Sequence, residues 1–471
     1  MREQKLYIGG EWVPSDVADT VTNRWGGEPF ATVHRGRREH AVAAVDAAEV
    51  ALERRLPPYE RARILEAAAE YIAAHVEDFA QAVTAEIGKP ITASRGEVRR
   101  AVGTLRFAAE EARRLPAEVV PMDAAEIGDG LIGFTIPQPR GIVAAITPFN
   151  FPVNLVAHKI GPAIAAGCPV LLKPSDKTKV TAGMLTEAFI AAGLPAGFLN
   201  LVTGRPADVV TAWQEDERVA VITFTGSSRV GWGLKQSSPQ KLHVLELGSN
   251  TAMAVAADAD LERAADATVS AALANSGQAC VSLQRVYVEQ TVAEEFLERV
   301  REKFTDVPTG DPNLPQTIVG PLVADSEVDR IKMWIDQAQA SGARVLAGGT
   351  VAGSVLAPTL IADANAKDTI VCEEVFGPVV SVVTVPDLDA MIAAVNDSKY
   401  GLNTSIFTSD IATALRYGRE VQSGSVLVNV PPSFRADHMP YGGVKSSGQG
   451  REGVKYAVEE LVEQKLIILN A

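Results

Sequence analysis

Two stretches of the chain decide its fold: residues 141–151 read GIVAAITPFNF, and residues 167–175 read GCPVLLKPS. Each contains an apolar run of strand length followed by a proline-containing turn. Three further runs of this kind lie at Leu199–Val202, Val219–Phe224 and Val244–Leu247. Helix-length segments, Thr181–Ala192 and Ala207–Gln214, lie between several of them. Strands that alternate with helices predict a largely parallel, doubly wound sheet, so we expect an α/β protein.

The alternation of strand and helix starts again after Ser249. A helix near Leu261–Ala274, a strand near Arg285–Val288 and a helix near Ala293–Phe304 predict a second α/β domain. Two further stretches look like strands that lie outside both domains, Glu118–Gln138 and Lys465–Leu469.

The N-terminal part of the chain is predicted to be helical. Its apolar residues recur at spacings of three and four and form one stripe: Ile64, Leu65, Ala68, Ile72, Val76, Phe79 and Val83. A second helical stretch runs from about Gly96 to Leu115 and carries five arginines. Most of these arginines are expected on the solvated face, while one could point inward.

The composition limits what the chain can bind. There are 44 Lys and Arg against 58 Asp and Glu, a formal net charge of −14, which argues against nucleic acid or an anionic membrane as partner. Three cysteines without CxxC spacing cannot form a disulfide framework. With no signal-peptide pattern and no membrane-length apolar run, a soluble protein of the reducing cytoplasm is expected. The six histidines show no metal-ligand spacing, so no metal site is expected.

Six short motifs occur in an order that identifies a family. They are ITPFN (146–150), KPS (173–175), FTGS (224–227), LELG (245–248), GQAC (277–280) and EEVFGP (373–378). Together they resemble the NAD(P)-dependent aldehyde dehydrogenase family over essentially the whole chain. A further segment, DHMPYGG (437–443), is similar to one in members that act on lactaldehyde, phosphonoacetaldehyde or glyceraldehyde 3-phosphate.

The resemblance implies three structural parts. A Rossmann-like NAD-binding domain is expected from residues 1–117 and 140–248, a catalytic domain from 249–450, and a small β oligomerisation arm from 118–139 and 451–471. An exposed edge strand such as Lys465–Leu469 would be a liability in a monomer, which favours subunit pairing. A homodimer or homotetramer is therefore expected.

The resemblance also assigns three catalytic residues. Cys280 is the nucleophile that forms a thiohemiacetal with the aldehyde, and the polar loop before it suits an exposed thiol. The side-chain amide of Asn150 and the backbone N–H of Cys280 are the donors to the oxyanion. Glu246 is the base that activates water to hydrolyse the thioester, and partial burial at a strand end would raise its pKa.

Cofactor contacts follow from the same resemblance. Lys173 contacts the adenosine ribose, Gly226 and Ser227 open a helix that faces the pyrophosphate, and Glu374 holds the nicotinamide ribose. The expected cofactor-binding residues are Ile146, Thr147, Pro148, Phe149, Lys173, Ser175, Asp176, Gly226, Ser227, Leu247, Glu374 and Phe376. Because the Asp176 carboxylate would repel a 2′-phosphate, NAD is favoured over NADP, although NADP stays possible.

A small aldehyde that carries an anionic group is the favoured substrate. Asn150, Asn154 and His158 are spaced four apart, so they share one face of a predicted helix. By resemblance this face lines the aldehyde channel, as does the helix that carries Arg106, and Arg435 lies just before the DHMPYGG segment. Two arginines and a histidine could hold a carboxylate, sulfonate or phosphonate through charge-assisted hydrogen bonds.

One departure from the family pattern and two other interpretations of the arginines keep a neutral substrate open. Ala279 stands where members that handle phosphorylated aldehydes often have arginine. A second departure, Ser249 in place of the second of two family glycines, bears on the seating of the nicotinamide. Arg106 could be one more solvated helix charge, and Arg435 could pair with Asp437. A neutral hydroxyaldehyde such as lactaldehyde is therefore the alternative substrate.

Two other classes of function compete with oxidation of an aldehyde to its acid. A non-catalytic protein on the same fold would be expected to lack Cys280 or Glu246, and both are present. An acylating dehydrogenase, which hands its thioester to coenzyme A, commonly lacks the glutamate. Both alternatives are disfavoured by Glu246.

Overall fold

The computed structural model describes residues 1–470 as strands and helices with short connections. The strands are β1 (Arg2–Gln4), β2 (Leu6–Ile8), β3 (Glu11–Val13), β4 (Ala18–Thr22), β5 (Pro29–His34), β6 (Val119–Val120), β7 (Leu131–Pro139), β8 (Ile142–Ile146), β9 (Val170–Lys173), β10 (Leu199–Leu201), β11 (Val219–Thr225), β12 (Leu242–Glu246), β13 (Thr251–Val255), β14 (Leu283–Glu289), β15 (Arg344–Ala347), β16 (Val351–Ala352), β17 (Val355–Leu356), β18 (Thr359–Ala362), β19 (Val379–Val385), β20 (Asn403–Phe407), β21 (Ser425–Val428), β22 (Gly448–Gln449) and β23 (Val462–Asn470).

The α-helices of the same residues are α1 (Arg38–Glu53), α2 (Pro58–Ala74), α3 (Val76–Ile87), α4 (Ile91–Arg113), α5 (Asn154–Ala166), α6 (Lys179–Ala191), α7 (Pro206–Glu215), α8 (Ser228–Ser237), α9 (Leu261–Leu273), α10 (Ala293–Thr305), α11 (Asp325–Ala340), α12 (Thr369–Cys372), α13 (Leu388–Asn396), α14 (Ile411–Glu420) and α15 (Val454–Glu460). Short 3₁₀ helices occur at Met122–Ala124, Glu126–Gly128, Ala274–Gly277, Gln290–Val292 and Lys445–Ser447. Within residues 1–470, none of the helices combines the length and the apolar character that crossing a bilayer requires.

The first large sheet has eight strands in the order β22-β12-β11-β8-β9-β10-β2-β3. Its five central strands, β12 to β10, are parallel, and the outer strands pair antiparallel. One apolar layer packs α2, α4, α5 and α6 against one face, and a second packs α1 and α7 against the other. Both faces are covered, which explains why β8 and β9 are apolar and buried at nearly every residue. The carboxyl ends of β8, β9, β11 and β12 meet at one edge of the sheet, where ligands bind in such folds.

The second large sheet has seven strands in the order β15-β18-β19-β14-β13-β20-β21. All neighbours are parallel except β15, which pairs antiparallel with β18. Helices α9 and α10 pack on one face, and α13 and α14 on the other. The two sheets together confirm the predicted α/β class with two doubly wound parts.

A separate three-stranded antiparallel sheet has the order β23-β7-β6. Every residue of β23 pairs with β7, from Val462 opposite Pro139 to Asn470 opposite Leu131. Large apolar side chains on this sheet are about half exposed or more: Val119, Ile132, Leu466, Ile468 and Leu469. The sheet corresponds to the strands predicted to lie outside both domains.

Two details differ from the sequence pattern. The stripe that begins at Ile64 continues through two helices, because the chain breaks between α2 and α3 at His75 (φ −117°, ψ 27°). Strand β22 lies late in the chain but pairs with β12 of the first sheet. The predicted domain bounds stay a prediction. Strand β12 of the first sheet ends at Glu246, and β13, the next strand along the chain, begins at Thr251 and belongs to the second sheet.

Candidate active site

A cleft of about 770 Å³ opens where the carboxyl ends of the first sheet face the second sheet. The three predicted catalytic residues, Cys280, Glu246 and Asn150, all line it. The predicted cofactor residues line it as well: Ile146, Thr147, Pro148, Phe149, Lys173, Ser175, Asp176, Gly226, Ser227, Leu247, Glu374 and Phe376. Residues scattered over about half of the chain therefore meet in one cavity.

The loop that carries Cys280 has an unusual backbone. Asn275 (φ 51°), Ser276 (φ 55°) and Gly277 (φ 74°) are consecutive left-handed residues. A Cβ on Gly277 would lie 2.1 Å from the carbonyl oxygen of Gly377, so glycine is required there by contact as well as by conformation. This close backbone packing turns the Cys280 thiol toward the cleft, where its Sγ lies 3.0 Å from the hydroxyl of Tyr441. Burial raises the pKa of the Cys280 thiol to about 11.

The side-chain amide of Asn150 has one N–H group that is not engaged within residues 1–470. Its Nδ2 donates to the carbonyl of Gln278 at 3.0 Å, which leaves the second N–H of the amide for another acceptor. The backbone carbonyl oxygen of Asn150 accepts from Lys89 Nζ at 3.0 Å and from Asn275 Nδ2 at 3.1 Å. Within residues 1–470 the backbone N–H of Cys280 donates to no other atom. Two donors are thus available beside the thiol.

Glu246 ends β12 as a buried carboxyl group, 4% exposed. Neither of its carboxylate oxygens has a hydrogen-bond partner in residues 1–470. Burial, and then the nearby Glu452 carboxylate, raise the pKa of Glu246 well above 4.5. Glu452 is itself bound to Lys159 Nζ at 3.0 Å and to Arg435 Nη2 at 3.0 Å, so it stays ionised while Glu246 favours its proton.

The other half of the cleft suits a dinucleotide. Helix α8 begins after Ser227, whose side chain does not cap it, so the first N–H groups of the helix are free to face an anion. A Cβ on Gly226 would lie 2.4 Å from the Phe224 ring, so a side chain does not fit at this position. The backbone of Gly226 therefore lines the cleft directly. Lys173 Nζ lies 3.5 Å from the half-exposed Asp176 carboxylate. These groups fit phosphate and ribose hydroxyls.

Glu374 and two phenylalanines line a further part of the cleft. Burial raises the pKa of Glu374 to about 7, and its Oε1 accepts from the backbone N–H of Ser249 at 2.8 Å. Phe149 and Phe376 meet edge to face, with ring centroids 5.8 Å apart. The departure at Ser249 therefore leaves the Glu374 contact intact, since that contact uses the backbone of residue 249.

The three predicted substrate residues lie outside the cleft lining. His158 is fully buried, and its Nε2 donates to Asp437 Oδ1 at 2.9 Å. Arg435 is buried and pairs with Glu452 rather than with Asp437. Arg106 is exposed on α4, two residues and about 200° around the helix from Thr104, which contacts α5.

The inward arginine of α4 is Arg100, which corrects the choice of Arg106. Its guanidinium donates to both carboxylate oxygens of Asp437, at 2.7 and 3.2 Å. Burial would raise the pKa of Asp437, but His158 and Arg100 hold it well below its usual range. The helical periodicity of α4 could have identified this face, since Arg100 lies one turn from the buried Glu97 and Thr104.

The sequence interpretation also missed Tyr441 and Glu452. Tyr441 lies in the DHMPYGG segment and contacts the thiol of Cys280, from which it is separated by 161 positions in the chain. Its backbone forms two hydrogen bonds with Glu452, an isolated antiparallel bridge. A single sequence carries no signal of either contact, because each joins segments that no periodicity connects.

Two doubly wound sheets meet at a cleft that contains a thiol and groups suited to a dinucleotide. This combination is typical of a dehydrogenase. A family model described as the aldehyde dehydrogenase family matches residues 12–467. The chain therefore belongs to the aldehyde dehydrogenase family, and the predicted membership is confirmed.

Named relatives resemble the chain over nearly its full length. The 3-sulfolactaldehyde dehydrogenase of Priestia megaterium is 40% identical over 470 residues, which cover 100% of this chain and 98% of the relative. The lactaldehyde dehydrogenase of Methanococcus vannielii is 36% identical and covers 99% and 100%. The NADP-dependent glyceraldehyde-3-phosphate dehydrogenase of Bacillus halodurans, solved with NADP, has a TM-score of 0.97 at 32% identity and covers all of both chains.

Proposed function

We propose that this protein oxidises a small anionic aldehyde to its carboxylic acid, with NAD as the oxidant and Cys280 as the nucleophile. The observation that carries the proposal is the meeting of three groups at one end of the cleft: the Cys280 thiol, the Asn150 amide and the Glu246 carboxyl. Together they supply a nucleophile, an oxyanion donor and a base.

The first half of the reaction uses Cys280 and Asn150. The Cys280 thiolate attacks the aldehyde carbon and forms a thiohemiacetal. The free N–H of Asn150 and the backbone N–H of Cys280 hold its oxyanion. When bound, NAD supplies a nicotinamide ring that accepts the hydride from the substrate carbon. Collapse of the oxyanion leaves a thioester on Cys280.

The second half of the reaction uses Glu246. A water molecule must lose a proton as it attacks the thioester carbonyl, and a buried carboxylate with a raised pKa accepts that proton efficiently near neutral pH. The attack releases the carboxylic acid and restores the Cys280 thiol. A coenzyme A acceptor is not needed when such a base is present.

NAD is proposed over NADP because of Asp176. Its carboxylate is half exposed beside Lys173 and would repel a 2′-phosphate on the adenosine ribose. We expect kcat/KM with NAD to exceed that with NADP, and Asp176→Ala to narrow the ratio. An equal or inverted ratio in the unaltered protein would contradict this preference.

The anionic substrate is supported by two arginines. Arg435 is separated from Cys280 only by the Tyr441 ring, and its Nη2 alone is engaged, by Glu452. Arg100 is one-third exposed beside Asp437, at the carboxyl-terminal segment that also carries Tyr441. The relative from Priestia acts on a sulfonated aldehyde by its name, and a guanidinium fork suits a sulfonate.

A neutral hydroxyaldehyde such as lactaldehyde is the second candidate substrate. The ion pair between Arg100 and Asp437 favours this candidate, because it leaves less positive charge to bind an anionic substrate. The name of the Methanococcus relative agrees with this alternative.

Three arginine variants distinguish the two substrates. Arg100→Ala, Arg435→Lys and the control Arg106→Ala would be assayed on phosphonoacetaldehyde, succinic semialdehyde and lactaldehyde. The anionic proposal expects a loss of kcat/KM of about 10- to 100-fold for the charged aldehydes alone, the value of a charge-assisted hydrogen bond. Equal losses on all three aldehydes would favour the neutral substrate, and the exposed Arg106 should be silent throughout.

Assembly into a homodimer or homotetramer is part of the proposal. The support for it is the half-exposed apolar surface of the β23-β7-β6 sheet, which a monomer would leave in water.

The test of the catalytic proposal is Cys280→Ser. A hydroxyl has a far higher pKa than a thiol and is a poor nucleophile at neutral pH, so NADH formation should be abolished. NAD binding, followed by fluorescence quenching, should persist. Oxidation of aldehydes at a rate near that of the unaltered protein would refute the mechanism, whichever aldehyde is used.

A further inference from the structure

The hydroxyl of Tyr441 has a single hydrogen-bond partner in residues 1–470, the sulfur of Cys280. The ring is almost completely buried, 2% exposed, and packs with Val281 and Leu402. Its backbone forms two hydrogen bonds with that of Glu452, with nitrogen-to-oxygen distances of 3.0 and 2.6 Å. The buried ring and the paired backbone hold the hydroxyl against the thiol.

Arg435 lies on the other side of this ring. Its guanidinium carbon is 3.7 Å from the centroid of the Tyr441 ring. A cation over the face of a phenol withdraws electron density from the ring and strengthens the O–H group as a donor. The Tyr441 ring therefore lies between the guanidinium of Arg435 and the sulfur of Cys280.

We propose that Tyr441 is a further catalytic residue, whose hydroxyl donates a hydrogen bond to the Cys280 thiolate and thereby stabilises the reactive form of the nucleophile. The proposal rests on the proposed function, because it assumes that Cys280 is the nucleophile. It assigns to Tyr441 no gain or loss of a proton: the thiol proton leaves to solvent water, and the phenol keeps its own.

The direction of the hydrogen bond follows from the chemistry of the two groups. A thiol ionises more readily than a phenol, and burial raises the pKa of Tyr441 well above 10. The phenol therefore remains protonated wherever the thiol is ionised, and it can only donate. Burial also raises the pKa of Cys280, and the hydrogen bond from Tyr441 acts against that rise. A charge-assisted hydrogen bond of this kind is stronger than the bond to a neutral thiol.

The hydroxyl would act wherever sulfur carries negative charge. That charge is present before the carbon–sulfur bond forms, and again when hydrolysis expels the sulfur from the thioester. Between these points the oxyanion lies at the Asn150 amide. Tyr441 should accordingly affect ionisation of the thiol and its capture of the aldehyde, while activation of the hydrolytic water remains with Glu246.

The experiment is the pH profile of Cys280 alkylation. Tyr441→Phe removes one oxygen atom from a buried ring, and Tyr417→Phe is the matched control, because Tyr417 is equally buried and its hydroxyl bonds to Thr404 at 2.6 Å. Brief pulses of iodoacetamide would modify Cys280 between pH 6 and 12.5, and peptide mass spectrometry would quantify the modification. This readout separates Cys280 from the exposed Cys372.

We expect Tyr441→Phe to move the midpoint of the alkylation profile upward by about one pH unit. The rate at pH 7.5 should fall by less than tenfold, because a thiolate of higher pKa is also more nucleophilic. The control should keep the midpoint of the unaltered protein. A merely structural role for the ring would lower the melting temperature without moving this midpoint.

Other outcomes overturn the inference. An unchanged midpoint means that the hydroxyl does not stabilise the thiolate, and a lower midpoint means that it accepts a hydrogen bond from the neutral thiol instead. Either result refutes the role of Tyr441 while Cys280 remains the nucleophile. If alkylation of Cys280 leaves aldehyde oxidation intact, the proposed function fails, and this result is distinguishable from the other two.

Discussion

At the scale of single residues, the buried carboxyl of Glu246 has no partner for either oxygen within residues 1–470. A carboxyl in that state holds its proton to higher pH, yet any water that reaches it meets an unoccupied acceptor. Glu452, in contrast, forms ion pairs with Lys159 and Arg435, which balance its negative charge and keep it ionised. The two glutamates lie close together, and their surroundings push their pKa values apart.

Glu246→Gln should separate the two halves of the reaction. The amide cannot accept a proton from water, so steady-state turnover should fall by about 10²- to 10⁴-fold, while the first equivalent of NADH still forms. Stopped-flow absorbance at 340 nm would show a burst followed by a stalled phase. If burst and steady state both match the unaltered protein, Glu246 is not the base.

Glu374 should make NAD binding depend on pH. Its pKa is raised to about 7 by burial, and only the ionised carboxylate accepts hydrogen bonds from two ribose hydroxyls. The carboxyl is therefore mostly protonated at pH 6 and mostly ionised at pH 8. The Kd for NAD should fall severalfold over that range, measured by titration calorimetry.

Glu374→Gln is the control for this dependence, since an amide does not titrate. The variant should bind NAD with a weaker affinity that is constant from pH 6 to pH 8. A Kd that rises with pH, or a slope that survives in the variant, would contradict the role given to Glu374.

Sequence reasoning at this scale selected residues that line the cleft where each lies inside a contiguous motif. Glu246 ends an apolar strand, Asn150 follows one and Cys280 precedes one, and all three line the cleft. Helical periodicity could have identified Arg100 as well. Tyr441 was missed because a contact between distant segments leaves no local pattern.

At the scale of elements, the junction of α4 and α5 supports the oxyanion site. Glu97 on α4 accepts from the first N–H groups of α5, Val153 at 2.8 Å and Asn154 at 3.1 Å. Its other oxygen binds Lys89, which in turn donates to the carbonyl of Asn150. Both charged side chains are about 1% exposed. One buried ion pair thus caps α5 and holds Asn150, the proposed donor to the oxyanion.

Glu97→Ala should destabilise the protein strongly. The change leaves the Lys89 ammonium buried without its counter-ion, a loss of about 3–5 kcal/mol in the free energy of unfolding. Urea denaturation followed by circular dichroism measures it. Glu77→Ala is the control, because Glu77 forms an exposed pair with Arg95 and its loss should leave the midpoint nearly unchanged. Similar midpoints for the two variants would refute the argument.

The elements themselves were largely predictable. The apolar runs at residues 143–146, 170–172 and 219–224 became β8, β9 and β11 within one or two residues at each end. The break at His75 was not predictable from periodicity, since Val76, Phe79 and Val83 continue the stripe of α2. A one-residue interruption can keep the same face toward the core, so the pattern of apolar residues does not record it.

At the scale of the whole molecule, the β23-β7-β6 sheet should hold subunits together. Leu466 and Ile468 point to the same side of β23, and each is 48% exposed. Placing aspartate at both positions would put two charges into any apolar contact formed there. We expect the double variant to sediment as a monomer, whereas Val50→Asp, on the exposed side of α1, should sediment like the unaltered protein. An unchanged sedimentation coefficient for the double variant would rule out this surface.

The overall architecture was predictable, but the way in which the parts join was not. The alternation of strands and helices along the chain is enough to indicate two α/β units. The pairing of β22 with β12 joins a segment near residue 448 to the first sheet, and such a return depends on tertiary packing alone.

The cleft has walls from both large sheets, and this shared construction would tie the lifetime of the protein to its cofactor supply. A dinucleotide bound, as we propose, by Lys173 on one wall and Glu374 on the other would have to be released before the walls could part. Ligands that bind only the closed form lower the population of the opened form by mass action, and proteases cleave the opened form. Cells that run short of the dinucleotide would therefore degrade this protein faster, with no signal needed beyond the shortage itself.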